Sequence, residues 1–120
     1  MPLKDEDVLD LMGKQDRLYF APGSQFRYSN TGYALLALIV EKVSGQSFAQ
    51  FLEKNIFDPL ELAGTVAYEE GISKVARRAY GYSETAGRYA RTDQSLTSSV
   101  LAGGGIYPSV EDLWRWDQAP

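Results

Sequence analysis

Apolar positions fall into separate blocks along the chain, and each block carries its own start and stop signals. Residues 5–13 place Val8, Leu9, Leu11 and Met12 behind Asp5, Glu6 and Asp7. Acids suit the positive end of a helix, so a short helix is predicted there. Residues 16–20 end in Leu18, Tyr19 and Phe20, and Ala21-Pro22-Gly23-Ser24 then reads as a turn. The strongest helix signal spans 31–43. Ser29 or Asn30 can cap it, and Ser44-Gly45 stops it. Its middle, YALLALIV over 33–40, is apolar on every face and calls for burial all round, so it is either central in the chain or covered by another domain. Ser47-Phe48-Ala49-Gln50 is a capping box that opens a second helix through about residue 56. Asp58-Pro59 ends it, and Leu60, Leu62 and Ala63 form one further turn.

The second half is patterned less strongly. Residues 75–82 and 88–91 read as two short strands around a polar turn that contains Gly87. Gly103-Gly104-Gly105 marks closely approached backbone. Ser109 caps a last helix over 110–118, where Trp114 and Trp116, two residues apart, read as one core and one rim residue. There is no internal repeat, low-complexity tract or boundary. The expectation is one unit over 1–120, mainly α with a small irregular or β-hairpin element.

Composition narrows the chemistry. The chain has 120 residues, 44% of them hydrophobic, with no cysteine and no histidine. A Ser-His-Asp triad, a thiolate zinc site and a histidine proton shuttle are excluded within it, so any base is Tyr, Lys, Asp or Glu. A net charge of −4 argues against a nucleic-acid partner. The longest apolar run has eight residues, against about 20 for a membrane span. Met1-Pro2-Leu3-Lys4 opens no apolar signal segment. The glycine run lacks the Lys and Ser/Thr of a phosphate loop. Glu69-Glu70 and Glu111-Asp112 read as solvated carboxylates near helix starts, and Arg77-Arg78 as a surface pair. No cofactor and no metal is implied.

Tyr28-Ser29-Asn30 stands apart because it meets the N-terminus of the most apolar helix, where backbone N–H groups and partial positive charge collect. A tyrosine there can act as acid or base beside a cation, and an Asn can bond both ends of an amide. A packed aromatic with an Asn helix cap is the structural alternative.

Residues 22–45, PGSQFRYSNTGYALLALIVEKVSG, closely resemble the second-motif region of the serine β-lactamase and penicillin-binding protein family. The likeness is strongest to the branch of class C β-lactamases, D-Ala-D-Ala carboxypeptidases and related esterases. Residues 56–62 with Thr65, 79–82 and 101–113 resemble later family segments, in family order. The resemblance implies the helical subdomain of the serine β-lactamase-like α/β fold. It also implies acyl-enzyme chemistry on a small-molecule or peptidoglycan-type substrate, commonly in the periplasm or outside the cell.

Carried over by position, Tyr28 is the acid/base residue and Asn30 the substrate-amide contact. The family's Ser-x-x-Lys is missing, since Met1, Leu11, Ile39, Phe51 and Gly71 precede the five lysines by three. The Lys-Thr-Gly-type motif is missing too. The expectation is therefore a subdomain truncated at both ends, inactive alone, with an apolar docking face that includes parts of the 33–40 helix near its N-terminus and the 103–107 turn. Such a face favours weak self-association. A stand-alone helical binding module without catalysis is the competing reading.

Overall fold

The computed structural model describes residues 3–93 and 100–119. Among the described residues, five α-helices and four short strands follow in order: α1 (Asp5–Met12), α2 (Asn30–Ser44), α3 (Phe48–Leu52), β1 (Val66–Ala67), β2 (Tyr82–Thr85), β3 (Arg88–Arg91), α4 (Leu101–Gly104), β4 (Ile106–Tyr107) and α5 (Val110–Gln118). The mainly helical reading with a hairpin holds.

The predicted caps set the helix boundaries. The Asp7 carboxylate accepts from the Lys4 backbone N–H at the start of α1 (2.8 Å). Ser29 Oγ accepts from the Gly32 N–H at the start of α2 (3.1 Å), and the Gly45 N–H returns to the Glu41 carbonyl at its end. Ser47 and Gln50 form both halves of the capping box on α3. The helix they open does not stay α-helical to residue 56. From Glu53 to Phe57 it widens into a π turn, which carries Ile56 and Phe57 towards the core.

α1, α3 and α4 pack on α2. Only Ala34 and Ala37 of α2 are buried, because their small side chains admit the neighbouring helices closely. Of the two alternatives for α2, a central position in this chain is incorrect: Leu36 is 56% and Ile39 57% exposed, and Tyr33 and Val43 are exposed with them, as a helix that needs another domain to cover it would be. The core lies elsewhere. Leu52, Phe57, Leu62, Ala67 and Leu101 form one cluster, with Phe48, Ala49, Ile56 and Leu60 against it.

β1 and β4 pair antiparallel, Val66 opposite Tyr107 and Ala67 opposite Ile106. They join segments forty residues apart that local pattern does not connect. β2 and β3 form the hairpin, with Tyr82 opposite Arg91 and Thr85 opposite Arg88. Its first strand begins at Tyr82, not at residue 75. Ala86 (φ +53°) and Gly87 (φ +73°) make a two-residue turn with both central φ angles positive, the geometry that matches strand twist.

Three side-chain expectations are corrected. Asp112 is buried, not solvated: it accepts from the Gly64 N–H (2.8 Å) and the Thr65 hydroxyl (2.7 Å) and so ties the start of α5 to the turn before β1. Arg78 is no surface residue. Its side chain is 9% exposed, donates to Asp93 (2.8 Å) and to the Tyr107 hydroxyl (3.0 Å), and sits 4.5 Å from the Tyr107 ring centre. Neither tryptophan is core; both are exposed, and Trp116 lines an apolar groove with Ile56, Ile106 and Leu113.

Candidate active site

The site begins with the irregular segment that leads into α2. Ser24 turns back onto the Ala21 carbonyl through both its N–H and its hydroxyl, and the chain then runs without regular structure to Ser29. Arg27 stacks over the Tyr19 ring, 4.1 Å from its centre. Tyr28 lies 5.7 Å, ring to ring, from Tyr33 one turn into α2. That contact holds the Tyr28 ring beside the helix start while leaving it 63% exposed.

Ser29, not Asn30, is the N-cap. This resolves the two alternatives left by the sequence. Capping needs the extended backbone that Ser29 has (φ −145°, ψ 108°), whereas Asn30 already lies in the first helical turn. The cap occupies the Ser29 hydroxyl and leaves the exposed Asn30 amide out of that duty. Tyr28 and Asn30 thus flank a structural serine at one end of a 15-residue helix, where the helix dipole is positive.

The floor beneath Asn30 comes from two other elements. Val8 of α1, together with Val100 and Gly103, encloses a cavity of about 120 Å³ beside Asn30 and Thr31. A Cβ on Gly103 would stand 3.2 Å from Val100 Cγ1 and 3.8 Å from Asn30 Cβ. The close approach expected of the glycine run is therefore made against Val100 by Gly103 and against Leu101 by Gly105, and it sets α4 beside Asn30. Asp5, two helical positions before Asp7, reaches the same element: its carboxylate accepts from the Leu101 N–H at 3.0 Å. Sequence reading did not single out Asp5, since a first-turn acid on a short helix carries no local mark of a contact 96 residues away.

Among the described residues, no group of three or more acidic, His or Cys side chains is placed to hold a metal ion. No described helix is long and apolar enough to cross a membrane.

The Beta-lactamase family model matches residues 3–119. Penicillin-binding protein 4* of Bacillus subtilis is 38% identical over 96% of this chain and 28% of its own length. The human mitochondrial serine beta-lactamase-like protein LACTB is 40% identical over 88% of this chain and 19% of its own. In three dimensions, the octameric penicillin-binding protein homologue from Pyrococcus abyssi superimposes with a TM-score of 0.81 at 32% identity, covering 96% of this chain and 26% of that one. The chain thus spans 19–28% of the length of these three relatives. A match over nearly its whole length, with helices and small antiparallel sheets consistent with a subdomain of that fold, shows that the chain belongs to the Beta-lactamase family.

Proposed function

We propose that this chain is the helical subdomain of a serine hydrolase and supplies Tyr28 and Asn30 to an acyl-enzyme site completed by residues outside it. Tyr28 is the acid/base group for the serine and the leaving group, and Asn30 bonds the substrate amide. The observation that carries this reading is that Ser29 caps α2 while Tyr28 and Asn30 on either side stay exposed. Structural duty and presented chemistry are divided within three residues.

The surface supports the reading. The chain exposes 9437 Å², whereas a free-standing protein of its mass exposes about 6,500 Å². Its radius of gyration is 16.6 Å against about 13.6 Å for a compact domain of this length. Tyr33, Leu36, Ile39 and Ile106 are among the exposed apolar side chains, on the helix and turn expected to dock. Family membership favours a hydrolase subdomain over a stand-alone binding module. Whether β-lactams, stem peptides or esters are the substrate depends on groups that the chain does not carry.

The chain alone has no Ser-x-x-Lys, so it forms no acyl-enzyme. Incubation with a fluorescent penicillin followed by denaturing electrophoresis is expected to show no covalent adduct; stoichiometric labelling overturns the reading. The same apolar face favours weak self-association, which sedimentation velocity reads as a concentration-dependent rise in mean mass. A single monomer boundary at high concentration contradicts it.

A further inference from the structure

We propose that Asp5 is a positioning residue for Asn30: its carboxylate, bonded to the Leu101 amide, seats the glycine run behind the α2 N-terminus, and a proton on that carboxylate resets the seating. The inference rests on the role given to Asn30 above.

One face of α1 makes the connection. Asp5 and Val8 are three residues apart and so lie on the same side of the helix. Asp5 takes the Leu101 N–H at the start of α4, and Val8 closes the cavity beside Asn30. α4 is only four residues long, packs on α2, and places Gly103 on the wall of the cavity that Asn30 also lines. A shift of α4 relative to α1 therefore changes the packing around Asn30.

The Asp5 carboxylate is poorly accommodated as an anion. Its second oxygen, Oδ1, is buried without a hydrogen-bond partner. Asp5 lines a cavity of about 140 Å³ together with Lys4 and Glu6 from its own side, Glu41 from α2, and Tyr68, Glu69 and Glu70 from the segment after β1. α4 contributes backbone amides there, not a charge. Glu41 also accepts the Phe48 N–H (2.7 Å), which fixes the position of its carboxylate at the junction of α2 and α3. Burial pushes the Asp5 carboxyl above its ordinary value; the Leu101 N–H opposes this, and Glu6 and Glu41 add to the rise.

The sign follows. A group whose folded value is raised binds its proton more tightly in the folded chain. Its stabilisation is fully present below the ordinary carboxylate value and is lost as pH rises through the folded one. Acid thus stabilises the fold by relieving the buried charge, while the Leu101 N–H bond, which favours the anion, weakens, and the two opposed effects reset how α4 seats on α1.

The test is an amide NMR titration of the 120-residue chain from about pH 3 to about pH 8, bracketing the carboxylate range. The Leu101 backbone amide and the Asn30 side-chain amide are expected to move together, with one midpoint above that of an ordinary aspartate. Asp5→Asn should flatten both. Glu6→Gln leaves the Leu101 bond in place and removes a neighbouring negative charge, so the shared midpoint should fall. It decides the matter even if the Asp5→Asn variant does not fold.

The proposal is overturned if Leu101 titrates while Asn30 stays still, if both transitions survive in Asp5→Asn, or if Glu6→Gln leaves the midpoint in place. No substrate takes part in the titration. Failure of the Tyr28 and Asn30 chemistry would therefore appear elsewhere, in acylation rates.

Discussion

The two ends of α5 and α2 make opposite use of the same device. Each helix starts on a serine cap: Ser109 Oγ accepts from the Asp112 N–H (3.1 Å), and Ser29 Oγ from the Gly32 N–H. At α5 the residues around the cap are consumed by the fold. Asp112 is 3% exposed and accepts from Gly64 and Thr65, and Arg115 donates to the Glu61 carbonyl. At α2 the residues around the cap face outward, with Tyr28 and Asn30 exposed. A helix start whose polar groups are already paired stabilises the fold, and one that leaves them open can meet a substrate.

The sharpest way to break this contrast is at α5. Asp112→Ala removes the acceptor of two buried donors and leaves the Gly64 N–H and Thr65 hydroxyl without their carboxylate. The expected loss is about 3 kcal/mol of unfolding free energy, measured by urea denaturation. A loss under about 0.5 kcal/mol would class Asp112 with ordinary surface residues.

The hairpin junction gives a smaller, pH-dependent effect. The Arg91 guanidinium, hydrogen-bonded at 2.8 Å, holds the Asp93 carboxyl below the usual carboxylate range, and Arg78 adds to this. Arg91 in turn stacks on Tyr80, 3.5 Å from its ring centre. A lowered folded value stabilises above the ordinary aspartate range and is lost as pH falls through the folded value. Thermal melts should therefore place Asp93→Asn below the parent chain at neutral pH, with the gap closing in acid. A gap that stays constant with pH would show that the ion pair is not its source.

Ser29→Ala should cost about 1 kcal/mol, the usual worth of a serine cap. Tyr28→Phe and Asn30→Ala should each change stability by less than about 0.5 kcal/mol, since both side chains are exposed. The order of these four effects is itself the test of the contrast. Stability losses at Tyr28 or Asn30 as large as at Asp112 would mean that both helix starts serve the fold.

How far each region could be read from sequence follows the same division. Helix starts are local: Ser29, Ser47 and Ser109 declare themselves within four residues, and the Gly87 turn announces its hairpin. The β1–β4 ladder has two residues on each side, too few for an alternating pattern. Asp112 and Arg78 look like surface charges until partners 47 or 48 and 15 or 29 positions away are brought to them. The exposure of Leu36 and Ile39 follows from the missing motifs and not from the apolar pattern itself. Apolar pattern shows what a residue needs, not whether a neighbour in this chain supplies it. Tyr28 and Asn30 stand out through motif and family resemblance, which is why the proposal rests on them. The Asp5–Leu101 bond and the cavity that Gly103 and Asn30 share are long-range and leave no local pattern.

The most direct measurement of the central claim places these residues in a complete protein. A chimera in which this chain replaces the matching segment of penicillin-binding protein 4* would be treated with fluorescent penicillin, and the rate of covalent labelling followed. The account predicts labelling of the chimera, slowed by about 100-fold or more in Tyr28→Phe and by a clear margin in Asn30→Ala, with melting temperatures unchanged. Labelling of the folded chimera at the same rate with and without the Tyr28 hydroxyl and the Asn30 amide would contradict it.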